Sequence, residues 1–442
     1  EKFRIFGLDN GLKYVYSPLD TTQLVTVAIF FRLGSIWETK EFYGGSHFLE
    51  HFLFKGCSMY PDAKELNMTF DKLGAIINAA TSHEYTYFYG VVPKDNFSAF
   101  YKILSNMVAT PVFNPKEFEK EKNVVLEELK RYLDKPESQS EEDLYKLMFG
   151  KDHRLYRKIG GELSDVKSIQ LDSLKKFHKE YYTPQNACIS IVGNVSEEEV
   201  HEAIKNSEMA TNMSGEVTQI VPQPVNMPES LRIYVKKPKQ KQEQCYINIG
   251  FRLPSLDNVE KYKIQFLNNV LNCGMSSRLF QDLREKHGIS YSQNADYECY
   301  IDSGFYVIST SVDCDTVYKT MVNGKEKSGA IKILFDLIKD LKYNLISEEE
   351  LNKSKMCSSA RLNLIYEKCS SRCIRYGEDL ILNKNKKIYS ITEEAAVYEN
   401  VTSQDVMDTA NIIFNFDKCC ISINGNLDDN TLSDFINKEC IN

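Results

Sequence analysis

The sequence is poor in the features that mark several large protein classes. Its 442 residues include one tryptophan and only seven histidines. No apolar run in the chain approaches the ~20 residues that a membrane-spanning helix requires. The formal net charge is −8 and the pI is about 5.6, so a basic surface for nucleic acid is not expected. We therefore expect a chain with no membrane span and no nucleic-acid partner.

Cysteine is present, but not in the patterns that hold metals or form dense disulfide frameworks. Twelve cysteines are scattered along the chain, and none of them forms a CxxC pair. This distribution favours free thiols, which are typical of a reducing compartment such as the cytoplasm or the matrix of a mitochondrion or another organelle. We therefore expect the cysteines to be free and the protein to occupy such a compartment.

The remaining composition is that of a globular protein. Hydrophobic residues make up 42% and charged residues 26% of the chain, which is enough to bury large cores. A chain of 442 residues is also longer than one ordinary domain. Composition and length together predict two or three globular domains.

Two strand-like patterns recur in the same order, which indicates an internal duplication. VTVAIFFRLGS (25–35) resembles CYINIGFRLPS (245–255), with an offset of 220 residues. CISIVGN (188–194) recurs as CISINGN (420–426), with an offset of 232 residues. The stretch 206–230 is rich in Ser, Thr, Asn, Pro and Met and is typical of a linker. We therefore predict two homologous domains, 1–215 and 216–442.

Each predicted domain mixes β-branched runs with charged amphipathic stretches. The runs predict strands at 25–31, 187–192, 246–251 and 305–312, and the stretches predict helices at 66–73, 118–133, 331–345 and 348–364. Strands and helices do not alternate strictly along the chain. An α+β fold is therefore favoured over a doubly wound parallel sheet, with a mainly antiparallel sheet covered by helices in each domain.

The segment GGSHFLEHFLFKG (44–56) brings two histidines and a glutamate to one face of a predicted helix. His47, Glu50 and His51 occupy positions i, i+3 and i+4, which share a face at 3.6 residues per turn. Two neutral imidazoles four residues apart can bind one Zn²⁺ ion, and the carboxylate between them is placed to activate a water molecule. This HxxEH order is the inverzincin pattern. The alternative is a helix with two surface histidines, but unpaired charge would be costly on a helix that is otherwise apolar.

A catalytic zinc site needs a third protein ligand besides the two histidines. The best candidate stretch is EKNVVLEELKR (121–131), a predicted helix with Val124, Val125 and Leu129 towards the core. Glu121 and Glu128 are seven residues apart and share a face, so Glu128 with Glu121 behind it is the simplest choice. Glu127, about 100° away around the helix, is the competitor. A solvated acidic face is the alternative for the whole stretch.

These residues resemble the pitrilysin–insulinase–mitochondrial processing peptidase family of zinc proteases. HFLEH is followed 77 residues after His51 by Glu128, within an ExNVVLxEL context. The resemblance implies that His47, His51 and Glu128 bind one zinc ion per chain, that Glu50 is the general base and that Glu121 supports the site. It also implies the small two-domain type, typified by the processing peptidase catalytic subunit and its bacterial relatives.

The resemblance extends along nearly the whole chain. Its further motifs are LDNGLKYVYSP (8–18), INAATSHEYTYFYGVV (77–92), YYTPQNACISIVGNV (181–195) and GMSSRLFQDLREKHGISYS (274–292). It implies that Asn78 and Ala79 lie on an edge strand that pairs with an extended peptide substrate. It implies that Arg284 and Tyr291 contact the substrate carbonyl near the metal. It also implies a dimer, either a homodimer or a heterodimer with a related inactive subunit.

The second copy of the motif has lost the metal-binding residue types. QFLNNVLNCG (265–274) aligns without gaps with HFLEHFLFKG, and the three metal-site positions become Gln265, Asn268 and Asn269. Amides are poor zinc ligands, so a single active centre follows. The acidic residues Glu141, Glu142 and Asp143 are followed by Lys146, a departure from the processing peptidases that leaves presequence specificity without support.

The chemistry expected from the sequence is peptide-bond hydrolysis by a zinc-dependent endopeptidase acting on extended peptides or precursor segments. One alternative is a non-catalytic structural subunit of the same fold, like the core proteins of the respiratory bc complex. Intact HxxEH and Glu128 count against it. The other alternative is a small-molecule metallohydrolase, which the large duplicated architecture disfavours.

Overall fold

The computed structural model describes residues 3–215, 228–238, 242–255, 258–382 and 388–441. Residues 216–227 of the predicted linker, and with them the start of the second predicted domain, lie outside the described residues. Within 206–215 the chain still forms a short helix rather than an irregular connection. The strands are β1 Arg4–Gly7, β2 Lys13–Pro18, β3 Leu24–Phe31, β4 Ile76–Thr81, β5 Thr86–Pro93, β6 Ala187–Gly193, β7 Arg232–Lys236, β8 Gln244–Pro254, β9 Ser290–Cys299, β10 Ser303–Asp313, β11 Lys319–Val322, β12 Lys325–Ser328 and β13 Cys420–Asn424.

The helices follow the amphipathic stretches of the sequence. They are α1 Gly45–Leu53, α2 Ala63–Lys72, α3 Phe97–Ala109, α4 Pro115–Leu133, α5 Pro136–Phe149, α6 Leu163–Ser168, α7 Leu171–Tyr181, α8 Glu197–Lys205, α9 Glu208–Thr211, α10 Asn258–Asn272, α11 Ala330–Tyr343, α12 Glu348–Glu367, α13 Cys369–Leu382, α14 Ile391–Asn400, α15 Ser403–Ile413 and α16 Asp429–Phe435. A π-helical turn covers Phe280–Lys286. Every strand and helix predicted above is present, with ends shifted by a few residues.

The chain forms two compact units that are not contiguous in sequence. Unit 1 comprises Glu1–Arg131, Arg157–Val221 and Asn363–Ile391, and unit 2 comprises Tyr132–Tyr156, Pro222–Leu362 and Thr392–Asn442. Each unit thus contains one helix from the other half of the sequence, α5 in unit 2 and α13 in unit 1. The predicted domain boundary at residue 215 stays a prediction about the duplicated halves. It does not predict that α5 belongs to unit 2 and α13 to unit 1.

Unit 1 is built on a six-stranded sheet in the order β1-β2-β6-β3-β5-β4. Only β2 and β6 pair in parallel, and the other neighbours are antiparallel. The central strand β3 is buried from Val25 onward. α13 packs against β3 and β6, and α1 contacts β4 and β5. α13 approaches so closely at Gly377 that an added Cβ would lie 2.0 Å from Phe30 Cε2. The edge strand β4 contacts α1 and, among the described residues, has a strand neighbour on one side only.

Unit 2 repeats this plan with a five-stranded sheet in the order β7-β13-β8-β10-β9. Again one pair, β13 and β7, is parallel and the rest are antiparallel. α5 packs against β8 and β13, and Ser140 Oγ donates a hydrogen bond of 3.2 Å to Tyr246 O. The predicted α+β class, with two homologous and mainly antiparallel sheets covered by helices, is confirmed.

Two expectations about side chains are wrong. Cys245 and Cys314 form a disulfide with a Cα–Cα distance of 5.2 Å, because the start of β8 lies beside the end of β10, so the cysteines are not all free. Val124 is 50% exposed, since the buried stripe of α4 runs through Phe118, Val125 and Leu129. Among the described residues, no helix combines the length and apolar content that a membrane crossing requires.

Candidate metal centre

Helix α1 separates its apolar and polar side chains as the sequence predicts. Phe48, Leu49, Phe52 and Leu53 are at most 1% exposed and fix the helix against unit 1. The helix begins after Gly44, whose φ of 80° lies in the left-handed region that suits a residue without Cβ. The opposite face carries His47, Glu50 and His51, and the two imidazole centroids lie 4.6 Å apart. The short helix therefore presents two nitrogen donors and a carboxylate side by side.

Glu128 on α4 completes a cluster with the two histidines. Its Oε2 lies 3.4 Å from His51 Nε2 and 3.8 Å from His47 Nε2. One ligand atom of each of the three residues lies within 4.8 Å of the other two, and no second group of this kind occurs in the part of the chain that the structure describes. The competitor Glu127 instead pairs with Lys130 at 2.5 Å, and its side chain is 64% exposed. The structure thus brings Glu128, and not Glu127, to the imidazoles.

Glu121 lies behind His51, seven residues before Glu128 and on the same face of α4. Its Oε1 is 3.0 Å from His51 Nδ1, and its Oε2 is 2.7 Å from Lys55 Nζ. Burial opposes the charged form, but the bonds to His51 and Lys55 outweigh it and lower the pKa of Glu121. A carboxylate on Nδ1 fixes the imidazole tautomer and leaves Nε2 free to face Glu128. Glu121 is therefore placed to orient His51.

Glu50 lies on the same face of α1 and has a partner on the edge strand. Thr81 Oγ1 donates a 2.9 Å hydrogen bond to Glu50 Oε2. Burial raises the pKa of Glu50, although the Thr81 bond and the nearby His51 lower it, and the negative charge of Glu128 raises it further. A carboxyl whose pKa is raised in this way holds a proton more readily than an exposed one. This property suits a group that accepts and returns protons.

The donor set fits a divalent metal ion of the zinc type. Two imidazole nitrogens and one carboxylate oxygen form one of the ligand combinations of catalytic zinc sites, which keep a further position for water. Burial, followed by the neighbouring His51, lowers the pKa of His47 to about 4, so its imidazole is neutral near pH 7 and offers a lone pair. Burial lowers the pKa of His51, but the Glu121 bond and the charges of Glu50 and Glu128 raise it overall. Three carboxylates around one pair of rings provide the negative charge that a cation would compensate.

The edge strand β4 brings Asn78 and Ala79 to the rim of the same region. β4 pairs with β5 on one side, and its other side ends the sheet. Asn78 is exposed and Ala79 is half-buried. The last residue of the strand is Thr81, the partner of Glu50. Asn78 Oδ1 accepts a 2.9 Å hydrogen bond from Ala79 N, and the edge of the strand leads directly to the predicted base.

Arg284 and Tyr291 belong to unit 2 and contact each other. The Arg284 guanidinium carbon lies 4.6 Å from the Tyr291 ring centroid, and Tyr291 is 81% exposed. Tyr291 is therefore not a core tyrosine, and Arg284 has no ion pair among the described residues. Their contact with a substrate stays a prediction. Among the acidic residues of α5, Glu142 pairs with Lys146, and Asp143 with Lys236 at 3.6 Å.

Two residues near the cluster were missed from the sequence, Glu38 and Thr81. Glu38 Oε2 accepts a hydrogen bond from Gly44 N, and its Oε1 accepts one from Ser46 N, both at 2.8 Å. The only local signal was an acidic residue ahead of a helix start, and its spacing of six residues from Gly44 is not that of an ordinary N-cap. Thr81 carried no local signal, because its partner Glu50 lies 31 residues earlier.

Comparisons with known proteins agree with this geometry. The model of the insulinase family (peptidase family M16) matches residues 14–160, and the model of the peptidase M16 inactive domain matches residues 168–356. The uncharacterized zinc protease YmxG of Bacillus subtilis is 32% identical over 390 residues, which cover 88% of this chain and 91% of that protein.

Two solved structures share the fold at low sequence identity. A protease from Helicobacter pylori superposes with a TM-score of 0.84 at 20% identity, covering 96% of this chain and 100% of that one. A chain of the Candida albicans complex III2 structure superposes with a TM-score of 0.78 at 17% identity, covering 98% of this chain and 99% of that one. The domain matches and the bacterial relative together identify the family. The chain belongs to the insulinase family of peptidases, peptidase family M16.

Proposed function

We propose that this protein is a zinc-dependent endopeptidase that hydrolyses extended peptides or precursor segments. The observation that carries the proposal is the meeting of His47, His51 and Glu128 around one point, with Glu50 on the same helix face. The name of the Bacillus relative supports zinc and proteolysis, although that relative is itself uncharacterized. Membership of peptidase family M16 and the presence of the His-His-Glu cluster do not depend on this proposal.

The metal would be held by His47 Nε2, His51 Nε2 and the Glu128 carboxylate. A zinc ion bound there supplies Lewis-acid activation of water and of the scissile carbonyl. Glu121 keeps His51 in the tautomer whose Nε2 is free for a ligand bond. The three metal ligands and Glu121 all belong to unit 1, so this part of the proposal requires no residue of unit 2.

Glu50 would act as the general base and then as the general acid. Its carboxylate accepts a proton from the attacking water, and the same oxygen returns a proton to the leaving amine nitrogen. The Thr81 hydroxyl holds Oε2 at 2.9 Å and so limits the rotation of the side chain. One carboxyl group would then serve both proton transfers, because the proton that it accepts from water is the one that it delivers to the amine.

The substrate would bind as an added strand along β4. An extended peptide would hydrogen-bond with the outer backbone edge of β4 near Asn78 and Ala79, where it would compete with the Asn78 side chain for Ala79 N. Backbone pairing recognises an extended conformation rather than a particular sequence, so unstructured segments are the expected substrates. Arg284 and Tyr291 remain proposed contacts of the substrate carbonyl, and a homodimer or a heterodimer with a related inactive subunit remains the proposed assembly.

The test uses zinc-loaded protein and an unstructured basic peptide. We expect Glu50→Gln to lower kcat by about 10²- to 10⁴-fold, the range of general-base removal, while the zinc content stays that of the wild type. The matched control is Glu127→Gln, because Glu127 is exposed and paired with Lys130. A kcat of Glu50→Gln equal to that of the wild type would contradict the assignment of Glu50 as the base.

A second candidate function is a structural subunit without catalysis, which the similarity to a chain of complex III2 favours. This alternative predicts that the purified protein neither retains zinc nor cleaves peptides. Zinc bound at one ion per chain, together with peptide turnover, would exclude it. A protein that binds zinc but cleaves only small-molecule amides would instead favour the metallohydrolase alternative.

A further inference from the structure

Helix α1 is short, yet it carries both histidines of the cluster and the proposed base. It is nine residues long, and isolated helices shorter than ~12 residues are marginal without capping or packing. The first backbone N–H groups of a helix have no partner within the helix and are normally capped by a side chain at the N-cap position. Here the N-cap residue is Gly44, which has no side chain to offer. The cap must therefore come from elsewhere in the chain.

Glu38 supplies both missing acceptors from the preceding loop. Its two carboxylate oxygens accept bonds from Gly44 N and Ser46 N, each at 2.8 Å. The side chain is buried, with 8% of the residue exposed. Burial raises the pKa of this carboxyl to about 8, while the two amide bonds and the positive charge of Arg157 lower it. The fold thus retains a buried acid whose bonds go to the amide that precedes His47 and to the N-cap amide.

The loop that carries Glu38 is itself attached to the end of the edge strand. Ser35 Oγ lies 2.7 Å from His83 Nδ1, and Ile36 N donates a 3.0 Å bond to His83 O. Trp37 Nε1 donates a 2.7 Å bond to Glu84 O. Residues 83 and 84 follow Thr81 by two and three positions, and Thr81 is the partner of Glu50. A continuous set of hydrogen bonds and chain segments therefore links the start of α1 to the residue that holds the proposed base.

We infer that Glu38 is a positioning residue, which fixes the axial position and rotation of α1 so that His47 and His51 meet Glu128 while Glu50 meets Thr81. This inference rests on the proposed function for its catalytic readout, but its metal readout does not. Catalytic constellations are held to within about 0.5 Å by the groups behind them, and the amides capped by Glu38 immediately precede the first histidine.

A purely structural cap makes a different prediction from a positioning residue. If Glu38 only stabilised the helix, its removal would lower the melting temperature and leave the zinc affinity and kcat of the folded molecules unchanged. If Glu38 positions the helix, folded molecules would bind zinc less tightly and turn over more slowly. Ground-state binding of the peptide along β4 would be unaffected, since β4 pairs with β5 independently of the cap.

The experiment compares Glu38→Gln with the wild type and with the control Glu41→Gln, a neighbouring exposed glutamate. Zinc affinity is measured by chelator competition, kcat and KM with an unstructured peptide, and order at the start of α1 by amide hydrogen exchange. We expect Glu38→Gln to bind zinc about 10- to 100-fold more weakly, the range typical for residues that orient metal ligands. We expect kcat to fall in parallel, KM to stay within about twofold, and exchange at Ser46 to accelerate. The control should match the wild type.

Glu38→Asp is the second variant, because it keeps a carboxyl group but is one methylene shorter and so is not expected to span both amides. We expect it to fold and to lose less zinc affinity than Glu38→Gln. The inference is overturned if folded Glu38→Gln keeps zinc affinity and kcat within twofold of the wild type. It is also overturned if Glu38→Gln does not fold and Glu38→Asp shows wild-type values. A wild type that binds zinc without cleaving peptides would refute the proposed function, while the zinc affinities of the variants would still decide the role of Glu38.

Discussion

Helix α1 of unit 1 and its counterpart α10 of unit 2 each pack against a second helix, but through different kinds of polar contact. In unit 1, α1 faces α4 through imidazoles and carboxylates that converge on one point. In unit 2, α10 faces α12 through direct hydrogen bonds: Asn269 Nδ2 donates to Ser354 O at 3.2 Å and to Ser358 Oγ at 2.9 Å, and Gln265 Nε2 donates to Ser358 Oγ at 3.1 Å. In unit 2 neutral amides donate to a hydroxyl and a backbone carbonyl of α12, whereas the unit 1 cluster gathers negative charge.

The correspondence extends to the second helix of each pair. Aligning the first residues of α4 and α12, Pro115 and Glu348, gives an offset of 233 residues. Ser354 then occupies the position of Glu121, and Arg361 occupies that of Glu128. Asn269 Nδ2 donates to the backbone carbonyl of Ser354, so a bond to the main chain stands where unit 1 has the side-chain bond between His51 and Glu121. In unit 2 the two helices pack through direct hydrogen bonds without a metal-binding cluster. The cluster of unit 1 is therefore not required for this kind of helix packing.

Replacing His51 by asparagine, the residue at the corresponding position of unit 2, should have the largest effect. His51→Asn removes a nitrogen ligand and also the group that Glu121 orients. We expect the purified variant to lose its zinc and to lower kcat/KM by more than about 10³-fold, since metal-assisted activation of water is lost. Metal analysis and peptide cleavage measure both effects. His287→Asn serves as the control and should keep zinc and activity, and equal loss in both variants would contradict the assignment.

Placing the unit 2 residue behind the histidine should have an intermediate effect. Glu121→Ser removes the acceptor from His51 Nδ1 and leaves Lys55 without its 2.7 Å partner. We expect zinc affinity to fall by about 10- to 100-fold, with zinc still bound at saturating concentration. Chelator competition measures the change. Unaltered affinity would mean that Glu121 does not orient the ligand.

Breaking the amide network of unit 2 should change stability and leave the metal alone. Asn269→Ala removes two hydrogen bonds of a side chain that is 3% exposed. We expect the free energy of unfolding of this unit to fall by about 1–3 kcal/mol, because buried partners lose their donors. Urea unfolding measures the loss, with exposed Asn352→Ala on α12 as the control. A change in zinc stoichiometry would show that the two sites are not independent in the way the comparison implies.

The parts that sequence reasoning predicted are those set by local spacing. His47, Glu50 and His51 share a face because they lie within one turn of the same helix, and Glu128 was favoured over Glu127 because it lies seven residues after Glu121. The loss of the metal residue types in the second copy was also visible, since α10 aligns with α1 without gaps.

The parts that it missed depend on contacts between distant segments. Nothing near Glu38 indicated that its carboxylate caps a helix that begins after it, and no local pattern linked Cys245 to Cys314 across 69 residues. The placement of α5 in unit 2 and of α13 in unit 1 follows from which sheet face each helix covers. A hydrophobic period shows that a helix has a buried face, but it does not show which sheet buries that face.

The most direct test of the central claim is anomalous diffraction at the zinc edge from crystals of the zinc-loaded protein. The account predicts one peak per chain, about 2.0–2.2 Å from His47 Nε2, His51 Nε2 and a Glu128 oxygen, the distances usual for nitrogen and carboxylate ligands of zinc. A peak coordinated by other residues, or no peak at this cluster at saturating zinc, would contradict it.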